Sequence, residues 1–205
     1  MLHSKTEIPV VIRAIRDPSY CKDIISPAQG RWMFILGGSI DTVAQSVAYL
    51  HRHQWKVFVH IDMVKGITSD FEGIRFFKEF ANPEGIITTR QHNISHAKKL
   101  NLFSIQRVFL LDSQSIESGI SQVQHGDADA VEVLPGILPE VISYFSRNIT
   151  KPLIAGGLVT TEKHVKDAIR AGAISVSSSN SELCKKQWNR SDLQLNTDLI
   201  SQDGR

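Results

Sequence analysis

Residues 153–161 read LIAGGLVTT, a short aliphatic run that stops at two glycines and then turns polar. A glycine pair costs backbone entropy. It belongs where the chain needs an unusual φ or where another group must come close to the main chain. Runs of the same kind recur on both sides: PVVIRAI (9–15), MFILGG (33–38), KVFVHI (56–61), GIITT (85–89), FSIQRVF (103–109), AVEVL (130–134), PLIAGG itself (152–157) and AISVSS (173–178). Their starts lie roughly 20–30 residues apart, room for one helix between each pair. Helical periodicity fills the gaps. Val43, Val47 and Leu50 share a face, as do Leu138, Val141, Ile142 and Phe145, and again Val165, Ala168 and Ile169. Ser69-x-x-Glu72 and Ser179-x-x-Glu182 have capping-box spacing.

Strands alternating with helices predict an α/β fold with a parallel sheet. Eight units in succession favour a single compact (β/α)8 TIM-type barrel over an open doubly wound sheet, and 205 residues lie near the short end for that barrel. The expected organisation is a barrel domain over residues 1–186. Residues 187–205 form a polar tail, either disordered or docked weakly through Trp188 and Leu193.

The composition, 41% hydrophobic and 21% charged, is ordinary for a globular domain. A net charge of +2 is too small to argue nucleic-acid binding by itself, and it leaves room for a local basic patch. Cys21 and Cys184 lack metal-ligand spacing and read as free thiols. The opening MLHSKTEIPV lacks a signal-peptide core, and no run approaches the ~18 apolar residues of a membrane span. The expectation is a cytoplasmic protein with no membrane partner. No Walker loop, GxSxG elbow or zinc spacing occurs. His92 and His96 stand four apart without a third ligand in view, so neither a metal nor a cofactor is expected. Arg90, His92, His96, Lys98 and Lys99 form a basic stretch that is either a solvated helix face or an RNA contact.

Alternate side chains of a barrel strand face the helices and the interior. Taking Val10, Ile12 and Ala14 as helix-facing leaves Arg13 inside. Val57, Val59 and Ile61 leave His60 and Asp62 inside, and Val131 and Val133 leave Glu132 inside. Ile105 outward puts Gln106 inside and Arg107 outside, and Val176 outward leaves Ser177 inside. Isolated charges are costly to bury. Arg13, His60, Asp62, Gln106 and Glu132 therefore form either an internal ion network or a polar ligand site at the C-terminal mouth, where this fold places its sites. The loops after the seventh and eighth runs suit a phosphate. Gly156 and Gly157 bare main-chain N–H groups, Ser177 and Ser178 add hydroxyls, and a short helix over 180–186 adds its N-terminal dipole. The plainer alternative is that Ser179 caps that helix. From the residues alone, an enzyme acting on a small phosphorylated substrate, an isomerase, aldolase or transferase, stays open beside a binding protein. No lysine on the interior parity supports a Schiff-base aldolase.

VIRAIRD (11–17), FVHIDMVKGIT (58–68), IQRVFLLDS (105–113), DAVEVLPGILP (129–139), LIAGGL (153–158) and AGAISVSSSNSELC (171–184) resemble, in order, the glycerol uptake operon antiterminator regulatory proteins. The resemblance runs over roughly residues 9–186. It implies a regulator without catalytic residues, which senses glycerol 3-phosphate and binds leader mRNA so that transcription of glycerol uptake and catabolism genes is not terminated. It also implies that Gly156, Gly157, Ser177 and Ser178 hold the phosphate. Arg13, His60, Asp62, Gln106 and Glu132 then line the glycerol end. A homo-oligomer is compatible with this reading.

Overall fold

The computed structural model describes residues 8–23 and 32–194, and among these eight parallel strands close into a barrel. They are β1 (Val11–Ile15), β2 (Trp32–Ile35), β3 (Lys56–His60), β4 (Gly85–Thr88), β5 (Phe103–Phe109), β6 (Ala130–Leu134), β7 (Leu153–Gly156) and β8 (Ser175–Ser178). Each pairs with the next in the chain, and β8 closes on β1. Helices α1 (Ile40–Arg52), α2 (Phe71–Ala81), α3 (Gln91–Lys99), α4 (Ser113–His125), α5 (Pro139–Arg147) and α6 (Glu162–Arg170) lie between successive strands from β2 to β8. The short helices α7 (Ser181–Lys185) and α8 (Arg190–Gln194) follow β8. This is the (β/α)8 barrel that the spaced apolar runs predict.

The barrel is filled, and its filling is graded along the axis. Trp32 and Phe58 stack with ring centroids 4.2 Å apart, and Phe103 closes on both, edge-on, at 5.6 and 5.5 Å. Trp32 and Phe103 begin their strands, so aromatic rings plug the N-terminal end. Ile12, Phe34, Ile87, Ile105 and Ile154 continue the same inner cluster. The polar side chains are left to the C-terminal mouth. Outside, Met33, Ile35, Val57 and Val59 meet Val43, Val47 and Leu50 of α1 and Ile74 and Phe77 of α2. Val131, Val133, Ala155 and Val176 meet Phe145 of α5 and Val165 of α6. Each buried side chain of this size contributes ~1.5–3 kcal/mol, so these two outer seams hold the helices on.

Two strands have the opposite parity from the one the sequence pattern predicts. In β1, Ile12 and Ala14 belong to the inner cluster, while Val11 and Ile15 pack outward, so Arg13 also faces outward. Both faces of β1 are apolar apart from Arg13, and alternation alone cannot orient such a strand. In β5, Ile105 is inside, which turns Arg107 inward and Gln106 outward. Here both faces carry polar residues, and their partners decide. Ser104 Oγ donates to Asp129 at 3.0 Å on the outer side, and Arg107 meets a buried carboxylate on the inner.

The two expected capping boxes shift by one residue. Asp70, not Ser69, accepts the Gly73 N–H at 2.8 Å to start α2. Asn180, not Ser179, accepts the Glu182 and Leu183 N–H groups to start α7. Beyond α7 the chain stays attached. Trp188 and Leu193 are buried against the outer seam, Trp188 Nε1 donates to Leu183 O at 2.9 Å, and the Arg190 guanidinium donates to Ile174 O at 2.8 Å and Ile8 O at 2.5 Å. The rest of the expected tail, residues 195–205, lies outside the described residues.

Candidate functional site

Glu132 anchors the mouth. β6 turns it inward with only 1% exposure, and the β5–β6 register sets Arg107 directly beside it. Arg107 is 9% exposed and donates from Nε and Nη2 to the same carboxylate oxygen, Oε2, at 2.7 and 2.6 Å. The other oxygen, Oε1, accepts from Ser177 Oγ at 2.6 Å. A buried carboxylate needs this much compensation to stay charged.

The glycines after β7 now have a physical account. A Cβ on Gly156 would lie 2.5 Å from Glu132 Oε1 and 2.6 Å from Ser177 Oγ. Gly156 is glycine because a carboxylate and a hydroxyl pack against its backbone. Gly157 has φ +74°, a left-handed turn that suits glycine. In the β7–β8 register Gly156 stands opposite Ser177, so the two loops named in the sequence lie side by side.

His60 ends β3 on the inner face and is 4% exposed. Burial, and next the charge of Arg107, push its imidazole down to about 4, against an opposing pull from Asp62. It is therefore neutral near pH 7. Its Nδ1 is buried and lacks a hydrogen-bond partner among the described residues. A buried polar atom without a partner is rare in native structures and needs a reason.

Asp62 lies just beyond and serves a different purpose. Its carboxylate accepts from Thr88 Oγ1 at 2.9 Å, the Thr89 N–H at 2.8 Å, Thr89 Oγ1 at 3.1 Å, Ser69 Oγ at 3.2 Å and Asn93 Nδ2 at 3.1 Å. Burial alone would raise its pKa. The Thr89 N–H, the Thr88 hydroxyl and His60 together outweigh that and hold it below the usual carboxylate range. Asp62 is a node that ties the loop after β3 to the end of β4 and the first turn of α3.

Two expected mouth residues are elsewhere. Gln106 points outward, accepting from Gln91 Nε2 at 3.1 Å and donating to Gln122 Oε1 at 3.2 Å, between α3 and α4. Arg13 stands opposite Ser178 in the β1–β8 register but on the outer side. There its charge lies near Cys184 of α7, whose thiol is pushed up by burial against the lowering effect of that arginine. Arg13 thus lies behind the loop after β8, apart from His60 and Glu132. Ser178 joins the two loops, donating to Val159 O at 2.6 Å and accepting the Asn180 N–H at 3.1 Å.

Arg107 is the mouth residue that sequence reasoning missed, by placing it on the outer face. The signal for it was present: an inward Glu132 requires a cation, and Arg107 is the arginine on the adjacent strand. Among the described residues no group of three or more His, Cys, Asp or Glu side chains could hold a metal ion. No helix among them is long and apolar enough to cross a membrane.

A family model for the glycerol-3-phosphate responsive antiterminator matches residues 11–184. A crystal structure of the glycerol uptake operon antiterminator regulatory protein from Listeria monocytogenes is 32% identical, with a TM-score of 0.81 over 86% of this chain and 95% of that one. A glycerol uptake operon antiterminator-related protein from Thermotoga maritima is 30% identical, with a TM-score of 0.76 over 88% of this chain and 99% of that one. YgcP of Escherichia coli K12, an uncharacterized protein, is 32% identical over 180 residues, 88% of this chain and 93% of its own.

Proposed function

The chain belongs to the glycerol-3-phosphate responsive antiterminator family, and on that premise we propose that it is a non-enzymatic regulator that takes glycerol 3-phosphate at the barrel mouth and, once loaded, binds the leader mRNA of glycerol uptake and catabolism genes. The observation that carries this reading is the span of the family match. Residues 11–184 include every strand that builds the His60–Arg107–Glu132–Ser177 cluster and both loops beside it.

In this reading the phosphate lies over Gly156, Gly157, Ser177 and Ser178. The hydroxyl hydrogens of the two serines already serve Glu132 and Val159, so main-chain N–H groups are the donors an anion meets there. The glycerol hydroxyls reach His60 Nδ1 and the Glu132–Arg107 pair. The unpartnered imidazole nitrogen gains a partner, which is a favourable change for a buried polar atom. Asp62, Gln106 and Arg13 act one step back, Asp62 by fixing β4 and α3, Gln106 by fixing α3 against α4, and Arg13 by bracing α7 behind the phosphate loop. The ligand is a signal and not a cofactor. It changes RNA affinity only through different affinities for two states of the mouth.

Thermal unfolding with glycerol 3-phosphate, glycerol and inorganic phosphate in parallel tests the ligand. At 100 times its Kd a single-site ligand stabilises by ~2.7 kcal/mol. Glycerol 3-phosphate should give that shift at far lower concentration than either fragment, with the ligand recovered unchanged. Conversion of glycerol 3-phosphate to product, without retention of leader RNA, would instead make the protein an enzyme.

A further inference from the structure

Several surface cations on this barrel are paired. On α2, Arg75 bonds Glu72 at 2.6 Å and Glu79 at 3.1 Å. Along α6 and α7, Lys163 meets Asp167 at 2.6 Å, Lys185 meets Glu182 at 3.1 Å, and Lys186 meets Glu162 at 2.5 Å. α3 is different. Arg90, His92, Lys98 and Lys99 are exposed, and none forms an ion pair among the described residues. No Asp or Glu occurs anywhere from Gly85 to Leu111.

At its N-terminal end this arrangement works against the helix itself. Arg90 occupies the N-cap position and makes no side-chain capping bond, and the first turn has no acidic residue. Ser, Asp or Asn would cap better, and a cation opposes the dipole at that end. Lys98 and Lys99 complement the dipole at the C-terminal end, but folding gains nothing from Arg90 at the N-cap, and the acid-free stretch on both sides of the helix points to a partner. The same face carries a row of rings: His92 lies edge-on to His96 at 5.7 Å, and His96 edge-on to Phe71 of α2 at 5.6 Å. Exposed cations interleaved with planar rings match the phosphates and unstacked bases of single-stranded or looped RNA. A membrane surface fits less well, because the exposed residues of α3 include no large apolar side chain to insert.

We propose that α3, with Arg90, His92, Lys98 and Lys99 exposed and lacking counter-charge, is the surface on which the leader RNA docks. The inference rests on the RNA-regulator reading above and gives it a location. It also gives it a route. Asn93 in the first turn of α3 donates to Asp62 at 3.1 Å and to Ser69 at 2.6 Å, and Asp62 adjoins His60 at the mouth. A ligand that reorders the mouth pulls on the helix through that node.

The test uses the full chain, glycerol 3-phosphate and the 5′ leader transcript of the glycerol uptake operon from the same genome, titrated across a salt series. R90Q/K98Q/K99Q should lose at least tenfold in RNA affinity, and the slope of log K against log salt should shrink by about 2–3, since each phosphate contact contributes ~0.7–0.9. Its thermal shift with glycerol 3-phosphate should equal wild type, which also confirms that it folds. K98Q and K99Q singly should each lose about one contact's worth of slope. K163Q/K166Q on α6 should bind RNA as wild type does. Wild-type RNA affinity and slope in R90Q/K98Q/K99Q would overturn the inference and leave the regulator reading standing. Glycerol 3-phosphate binding without any RNA retention by the wild type would overturn both. So would capture of anionic vesicles or an acidic peptide through α3 in place of RNA.

Discussion

Glu132 shows how one residue fixes several others. Its carboxylate requires Arg107 on one side and Ser177 on the other, and its bulk requires glycine at position 156. Removing one member of a buried pair leaves a charge with no partner, at ~3–5 kcal/mol, whereas replacing both with apolar groups is often neutral. E132Q and R107M should therefore each lower the urea-denaturation free energy by about that amount, and E132L/R107M should lose less than either single variant. His60 adds a pH dependence of definite sign. Its folded value, about 4, lies below the ordinary 6.5, so the unfolded chain takes up a proton first as pH falls. Stability should be full above pH 6.5 and decline toward pH 4, by at most ~1.4 kcal/mol per pH unit from this group. Urea midpoints at pH 7 and pH 5 should differ more in wild type than in H60Q. At this scale the sequence was partly legible. Inward parity found His60 and Glu132, because the valines around them alternate cleanly. It misplaced Arg13 and Arg107, because β1 is apolar on both faces and β5 polar on both.

At the scale of elements, the β-branched runs located all eight strands, since a fully flanked parallel strand leaves few polar positions to blur it. The two helix starts read from capping-box spacing, those of α2 and α7, were legible to within one residue. Asp70 and Asn180 compete with the serines before them and prevail as caps, and both residue types rank with serine at that position. The segment after α7 was the hardest to read, because it is polar except for two side chains, and those two decide its fate. Trp188 and Leu193 extend the outer seam, with Arg190 tying α8 to the chain around β1 and β8. W188A should cost ~3–5 kcal/mol, as aromatic-to-alanine changes in cores do. Chemical denaturation measures it, with W55A, a second buried tryptophan, as the comparison.

For the whole molecule, the barrel separates support from response. Aromatic rings close its N-terminal end, while the C-terminal mouth gathers a neutral histidine, a buried ion pair and two small-residue loops. The fold itself is shared with many activities, so it does not specify this one. The polar mouth was foreseen from the residues, whereas the proposed ligand and RNA partner rest on the family, since a net charge of +2 hides the acid-free segment around α3. Linkage joins the two sites: if glycerol 3-phosphate strengthens RNA binding by some factor, RNA must strengthen glycerol 3-phosphate binding by the same factor. The most direct measurement is leader-RNA affinity at fixed salt, with and without saturating glycerol 3-phosphate. The account predicts tighter binding with the ligand, by about 5–150-fold, the usual range of such coupling. Equal affinity in its presence and absence would contradict it.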